Sequence, residues 1–262
     1  MELKTVQYSE LQQIGTITLN RPDKRNAISY ELIHDLRSVL SAAASSDSGA
    51  QVVILTGAGT AFCAGMDLDN LKQMIGHTPE QTTQDAQTMA GVFRALYEFP
   101  KPTIAAVNGA AIAGGTGLAT LCDFTLAVPE AKFGYTEVRI GFVPAVVSHF
   151  LIANIGEKRA RDLLLTGRIF GAEEARQLGL VNEIVPPTEL MSRAHELAAK
   201  LLENSPASLR LTKALFSSFN REAVDRAMSQ AIQESAAVRR TPDFREGIAA
   251  FLERRKPNWS SG

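Results

Sequence analysis

The chain has 262 residues, 45% of them hydrophobic and 21% charged, a composition that folds as a globular protein with a substantial core and one large domain or one plus an appendage. Its 27 Lys and Arg against 28 Asp and Glu leave a formal charge of -1, so no basic field argues for a nucleic-acid partner. Cys63 and Cys122 stand far apart and outside any Cys-x-x-Cys spacing, which argues against a disulfide framework or a metal site and for two packed apolar residues. The opening "MELKTVQYSELQQ" is acidic and polar, unlike a signal peptide, and no run of eighteen apolar residues occurs, so a soluble cytoplasmic protein without membrane attachment is expected.

In chain order, "IGTITLN" alternates like a strand and stops at the turn "RPDKRN". A helix is predicted next, with Ser29 as N-cap and Leu32, Ile33, Leu36, Val39 and Leu40 at helical spacing. "QVVILTG" reads as a buried strand ending in the loop "GAGTAFCAG". A short helix from Asp67 to about Gln73 and a long amphipathic helix over 79–98 follow, the second closed by Pro100 and Pro102. "TIAAVN" is a buried strand, "GLATLCD" opens a helix, and "FTLAV" is another strand, the alternation expected of α/β architecture. Beyond "GFVPAVVSHFL" only "LVNEIVP" retains a strand signal. From residue 188 the sequence reads as helical, in four amphipathic stretches: "AHELAAKLLE", "ASLRLTKALFSSF", "REAVDRAMSQAIQES" and "DFREGIAAFLE". The expected organisation is an α/β core over 1–195 and a helical C-terminal unit over 196–262.

The glycine-rich stretch "AIAGGTGLATLCD" resembles two phosphate-binding motifs and satisfies neither. In "GAAIAGGT" Gly115 occupies the place of the P-loop lysine, and "GTGLAT" lies six residues beyond the end of its strand, too far for a dinucleotide fingerprint. What remains is a glycine turn opening a helix, where unpaired N–H groups and the positive helix end make a site for negative charge. "AFCAGMDL" repeats the arrangement, and two such donors converging make an oxyanion hole.

Taken together, "NRPDKRNAIS", "ILTGAGTAFCAGMDL", "PTIAAVNGAAIAGGTGLATLCDF", "AKFGYTEVRIGFVP", "LLLTGRIFGAEEARQLGLVNEIV" and "EGIAAFLERRKP" resemble the enoyl-CoA hydratase/isomerase (crotonase) family, in family order from about residue 12 onward. The resemblance implies a crotonase-like spiral of ββα turns with an all-helical C-terminal domain used for homotrimer or homohexamer assembly. It implies acyl-CoA thioester substrates and no cofactor, coenzyme A being part of the substrate. It puts the oxyanion-hole N–H groups on Met66 and Gly114. It puts the coenzyme A end along Ala27, Ala64, Asp67 and Leu68, with Lys24 and Arg25 near the phosphates and Phe251 and Lys256 contributing from the C-terminus.

Hydratases of this family use two glutamates to hold one water. Here the first falls on Gly117 and is absent, while the second falls on Glu137. An apolar acyl pocket should raise the pKa of that remaining carboxyl. The run "GLATLCD...EVRIGFVPAVVS" looks most like bacterial 3-methylglutaconyl-CoA hydratases, which implies hydration or dehydration of a branched or dicarboxylic enoyl-CoA. A Δ3,Δ2-enoyl-CoA isomerase is the alternative that a single base suits, and a non-catalytic CoA-ester-binding protein is a second. Arg139 is a candidate for a substrate carboxylate, with a structural ion pair as its other reading. His34, His77 and His195 read as surface or packing residues, and His149 as a residue that could line the acyl pocket.

Overall fold

The computed structural model describes residues 3–259. Strand β1 (Val6–Leu11) and strand β2 (Ile14–Leu19) form an antiparallel hairpin turned by Gln12 and Gln13, both at positive φ. Helix α1 (Tyr30–Ala44) follows, capped by the Ser29 hydroxyl, which accepts from the Leu32 N–H at 3.1 Å. Then come β3 (Val52–Gly57), β4 (Ala61–Cys63), α2 (Leu68–Met74) and α3 (Pro79–Tyr97), the last opened by a Thr78/Gln81 capping box. The next turns are β5 (Thr103–Val107), β6 (Ala110–Ile112), α4 (Gly114–Leu121), then β7 (Phe124–Ala127) and β8 (Lys132–Gly134), followed by a 3-10 helix over Glu137–Ile140. Helices α5 (Ala145–Ile155) and α6 (Glu157–Thr166), strand β9 (Ile169–Gly171), helix α7 (Ala172–Leu178) and strand β10 (Glu183–Ile184) lead to α8 (Leu190–Leu202), α9 (Pro206–Val238) and α10 (Pro242–Glu253).

After the first hairpin, the pairs β3/β4, β5/β6 and β7/β8 each give their first strand to one sheet and their second to another. The larger sheet runs β1-β2-β3-β5-β7-β10, parallel beyond the first hairpin, and the smaller runs β4-β6-β8-β9. This is the crotonase fold, a spiral of ββα turns followed by helices. Strands β3 and β5 are buried on both faces, which is why they appear in sequence as unbroken apolar runs. A continuous core between the sheets and the helices includes Ile17, Leu36, Ile54, Phe62, Ile104 and Phe133, all at most 1% exposed.

Three expectations need correction. The smaller sheet was not foreseen, because three-residue strands are too short to show a period of two. Strand β1 was missed because it is an edge strand with one buried residue, Val6. The two stretches predicted around residue 220 are one helix, α9, since no Gly or Pro interrupts the chain between Pro206 and Pro242. Residue 195 lies within α8, which packs on β3, β5 and β7 through buried Leu190, Ala194 and Ala198. Helix α9 packs on α3 and α5, and α10 returns to cover α2 and the 3-10 helix.

Candidate active site

Two helix entries lie side by side at the ends of the neighbouring parallel strands β4 and β6. After β4 the chain turns at Gly65, whose φ of +86° favours glycine, and a Cβ there would lie 3.0 Å from the carbonyl oxygen of Ile112, the last residue of β6. The Ile28 N–H donates to the Gly65 carbonyl at 2.7 Å and the Asp67 N–H to the Ile28 carbonyl at 3.0 Å. That bracket leaves the Met66 N–H between them without an acceptor among the described residues. In the second loop Ala113 is held at φ +50° with its N–H donated to the Gly134 carbonyl at 2.7 Å, and Gly114 then opens α4 with an N–H that has no intrahelical partner. Met66 and Gly114 line the same cavity.

That cavity has a volume of about 470 Å³ and is walled mainly by apolar side chains, among them Leu71, Met74, Phe93, Phe142, Val147 and Phe244. Glu137 projects from the 3-10 helix, whose end is fixed by Gly141 at φ +66° and by the Phe142 N–H donating to the Glu137 carbonyl at 3.0 Å. Glu137 lines the cavity, and its Oε2 is buried without a hydrogen bond to any described residue. Burial pushes the carboxyl up from its ordinary 4.5 to about 7, against a smaller lowering by its own backbone N–H. A carboxyl of that kind exchanges a proton near neutrality.

The place where the resemblance puts a first glutamate is occupied by packing. At Gly117, on α4, a Cβ would lie 2.5 Å from Phe93 Cε1 and 2.5 Å from Val147 Cγ1. The space beyond the backbone therefore belongs to a phenyl ring from α3 and a valine from α5, both of which line the cavity.

Of the other residues singled out in sequence, Ala64 and Phe251 line the cavity, whereas Lys24, Arg25, Ala27, Leu68 and Lys256 lie outside it. Lys24, Arg25, Leu68 and Lys256 are exposed, while Ala27 is buried with its carbonyl accepting from Arg21 Nη1 at 2.6 Å. Asp67 is buried and structurally committed. Its Oδ1 accepts from the Asp69 N–H at 2.8 Å, capping α2, and its Oδ2 lies 2.9 Å from Arg21 Nη2. Burial alone would raise its pKa, but those hydrogen bonds and the Arg21 charge outweigh it and hold the carboxyl below its ordinary range. Asp67→Ala removes the cap and strands the half-buried Arg21 cation, so a loss of about 2–4 kcal/mol in urea unfolding is expected. A loss below 0.5 kcal/mol would mean that this pair does not anchor the loop.

Arg139 lines the cavity, is exposed, and has no ion pair with a described residue, so the structural ion pair anticipated for it is not present. His149 is half-buried edge-on to Phe150 and is not among the residues lining the cavity. His34 is exposed and His77 contacts Asp85, while Cys63 and Cys122 are buried thiols pushed up to about 12 by burial. Sequence reading missed the roof of the cavity, where Phe244 and Gly247 of α10 close over Ile140 and Phe142, and it missed Ser235 and Arg239 at the end of α9. Gly247 stands in the segment "EGIAAFLERRKP" without being singled out there, and nothing local marks the other three, which the fold back of α9 and α10 brings to the cavity.

The chain matches the enoyl-CoA hydratase/isomerase family over residues 9–262. A Thermus thermophilus relative is 43% identical over 250 residues, 95% of this chain and 98% of its own length. The 2,3-dehydroadipyl-CoA hydratase of Escherichia coli is 35% identical over 252 residues, 96% of either chain. The crystal structure of an enoyl-CoA hydratase/isomerase from Xanthobacter autotrophicus Py2 superposes with a TM-score of 0.88 at 29% identity, covering 97% of this chain and 98% of that one. Sequence, fold and the paired helix entries over an apolar cavity agree: this chain belongs to the enoyl-CoA hydratase/isomerase (crotonase) family.

Proposed function

We propose that this chain, an enoyl-CoA hydratase of the crotonase family, hydrates or dehydrates a branched or dicarboxylic enoyl-CoA such as 3-methylglutaconyl-CoA with Glu137 as its single acid/base. The observation that carries this reading is Glu137 Oε2, buried in an apolar cavity without a partner among the described residues, with Phe93 and Val147 standing where a second carboxylate would be. In hydration, the Glu137 carboxylate takes a proton from water as the water oxygen bonds to the β-carbon. The π electrons move onto the thioester oxygen, which accepts hydrogen bonds from the Met66 and Gly114 N–H groups, each worth about 3–4 kcal/mol in such a hole. Protonated Glu137 then returns its proton to the α-carbon, so one water has been added and the carboxylate is regenerated. A pKa near 7 suits both halves of that exchange.

Coenzyme A enters as part of the substrate and no cofactor takes part in these steps. Its nucleotide end is assigned to the surface formed by Lys24, Arg25, Ala27, Ala64, Asp67 and Leu68, with Phe251 and Lys256 closing from the C-terminus. Exposed Leu211, Leu215, Phe216 and Phe219 on α9 supply an apolar face that supports assembly as a homotrimer or homohexamer through the helical unit. No helix among the described residues is long and apolar enough to cross a membrane.

The same single carboxylate also suits carrying a proton between the α- and γ-carbons, so a Δ3,Δ2-enoyl-CoA isomerase is the second reading. Incubation with 3-methylglutaconyl-CoA in 18O-labelled water separates them. The hydratase yields an ester heavier by one labelled water, whereas an unchanged ester overturns the substrate assignment and makes a 3-enoyl-CoA the next substrate. CoA-ester binding without exchange of the α-proton would instead indicate a protein that only binds.

A further inference from the structure

Three arginines line the acyl cavity, and their surroundings differ. Arg255 is committed to Glu246 and Glu253 at 2.6 Å each. Arg139 is exposed, so water already solvates its charge. Arg239, at the C-terminal end of α9, is 7% exposed, and its Nε and Nη1 are buried without a hydrogen bond to any described residue.

Its nearest carboxylate is Asp85, with Oδ2 3.5 Å from Nη1, near enough to balance charge and too poorly placed to accept a hydrogen bond. Asp85 is otherwise engaged: Oδ2 accepts from the Tyr30 hydroxyl at 2.7 Å and lies 2.7 Å from His77 Nδ1. The guanidinium carbon lies over the Phe142 ring, 5.5 Å from its centroid. One helical turn earlier, Ser235 lines the same cavity with a hydroxyl that makes no hydrogen bond to a described residue. The wall of this cavity thus carries a buried planar cation with spare donors and, one helical turn away, a hydroxyl. Buried donors in that condition are a cost to the empty protein, and a planar anion with two acceptor oxygens removes it.

We infer that Arg239, assisted by Ser235, receives a carboxylate at the far end of the substrate's acyl chain, so that the preferred substrates are enoyl-CoA esters of dicarboxylic acids. This rests on the reading of the cavity as an acyl-CoA site. Arg239 acts on specificity and takes no part in the proton transfers of Glu137.

The test compares two six-carbon esters that differ only at the chain end, hex-2-enoyl-CoA with a methyl and hex-2-enedioyl-CoA with a carboxylate, and reads the ratio of their kcat/KM values. The wild type is expected to favour the carboxylated ester by tenfold or more, a conservative threshold beside the roughly 10⁴-fold that a site built on buried hydrogen-bonding groups reaches. Arg239→Met should lower that ratio by about 100-fold, chiefly through KM, and Arg239→Lys, which keeps the charge and loses the planar fork, should fall between. A wild-type ratio near one overturns the inference, as does a ratio unchanged in both variants. A ratio that falls in Arg139→Ala and holds in Arg239→Met transfers the carboxylate to Arg139 and also overturns it. Should the wild type hydrate neither ester, the hydratase reading fails separately. Calorimetric affinities for the two esters then decide on Arg239, with a preference for the carboxylated ester that Arg239→Met or Arg239→Lys abolishes counting for it and no preference against it.

Discussion

Glu137→Gln is expected to lower kcat for hydration by at least about 1000-fold, in the upper part of the range lost when a positioned acid/base is removed, and to leave CoA-ester affinity within about threefold. Gln keeps the size and one acceptor oxygen but cannot take a proton from water or return one to the α-carbon. Retention of activity within tenfold would identify another base. The wild-type profile should show kcat/KM for hydration rising with pH through about 7, since the carboxylate must be ionised to accept the proton of water. The same carboxyl makes a stability prediction of the opposite sense. Its folded pKa, about 7, lies above its ordinary 4.5, so between those values the folded protein holds a proton that the unfolded chain has lost. Stability on this account falls as pH rises from 4.5 to 7 and the full cost, roughly 3 kcal/mol, is present above 7. Glu137→Gln removes that cost, so at pH 8 the inactive variant should unfold at higher urea than the wild type, and at pH 4 the two should coincide.

How much of this is legible in the sequence follows from the length scale of each signal. The two glycine loops, the position of Glu137 and the principal strands were readable because each is written within fewer than about twenty consecutive residues, as in "AFCAGMDL" or "FGYTEVRIG". The ion-pair reading of Arg139 finds no support because no carboxylate among the described residues pairs with it, a fact about elements remote in sequence. Arg239 carried no signal at all, since "AAVRR" at a helix end reads as solvated charge and only the packing of α9 against the cavity wall buries one of the two arginines. The absence of a glutamate at position 117 was visible as a letter. What stands in its place was not, because Phe93 and Val147 come from two other helices, α3 and α5.

That packing makes Gly117 the position of the second large effect. In a helix interior, Gly→Ala ordinarily stabilises by about 0.5–1 kcal/mol, through backbone entropy alone. At Gly117 the sign should reverse, because the added Cβ arrives 2.5 Å from both Phe93 Cε1 and Val147 Cγ1, and neither side chain can retreat without entering the cavity or the core. Overpacking of this kind costs about 1–3 kcal/mol, so Gly117→Ala should show a net loss of about 1–2 kcal/mol in urea unfolding. Gly117→Glu adds a carboxyl against the phenyl ring and should lose several kcal/mol or fail to fold, without gaining hydration rate. The cause can be isolated by making room: Gly117→Ala combined with Phe93→Leu and Val147→Ala should lose less stability than the sum of the separate changes, since the three residues share one space. Strict additivity, or a Gly117→Ala protein as stable as the wild type, would show that the space is free. A second glutamate would then be excluded by sequence alone, and Gly117→Glu becomes a route to a two-carboxylate site whose hydration rate can be compared with that of Glu137 acting alone.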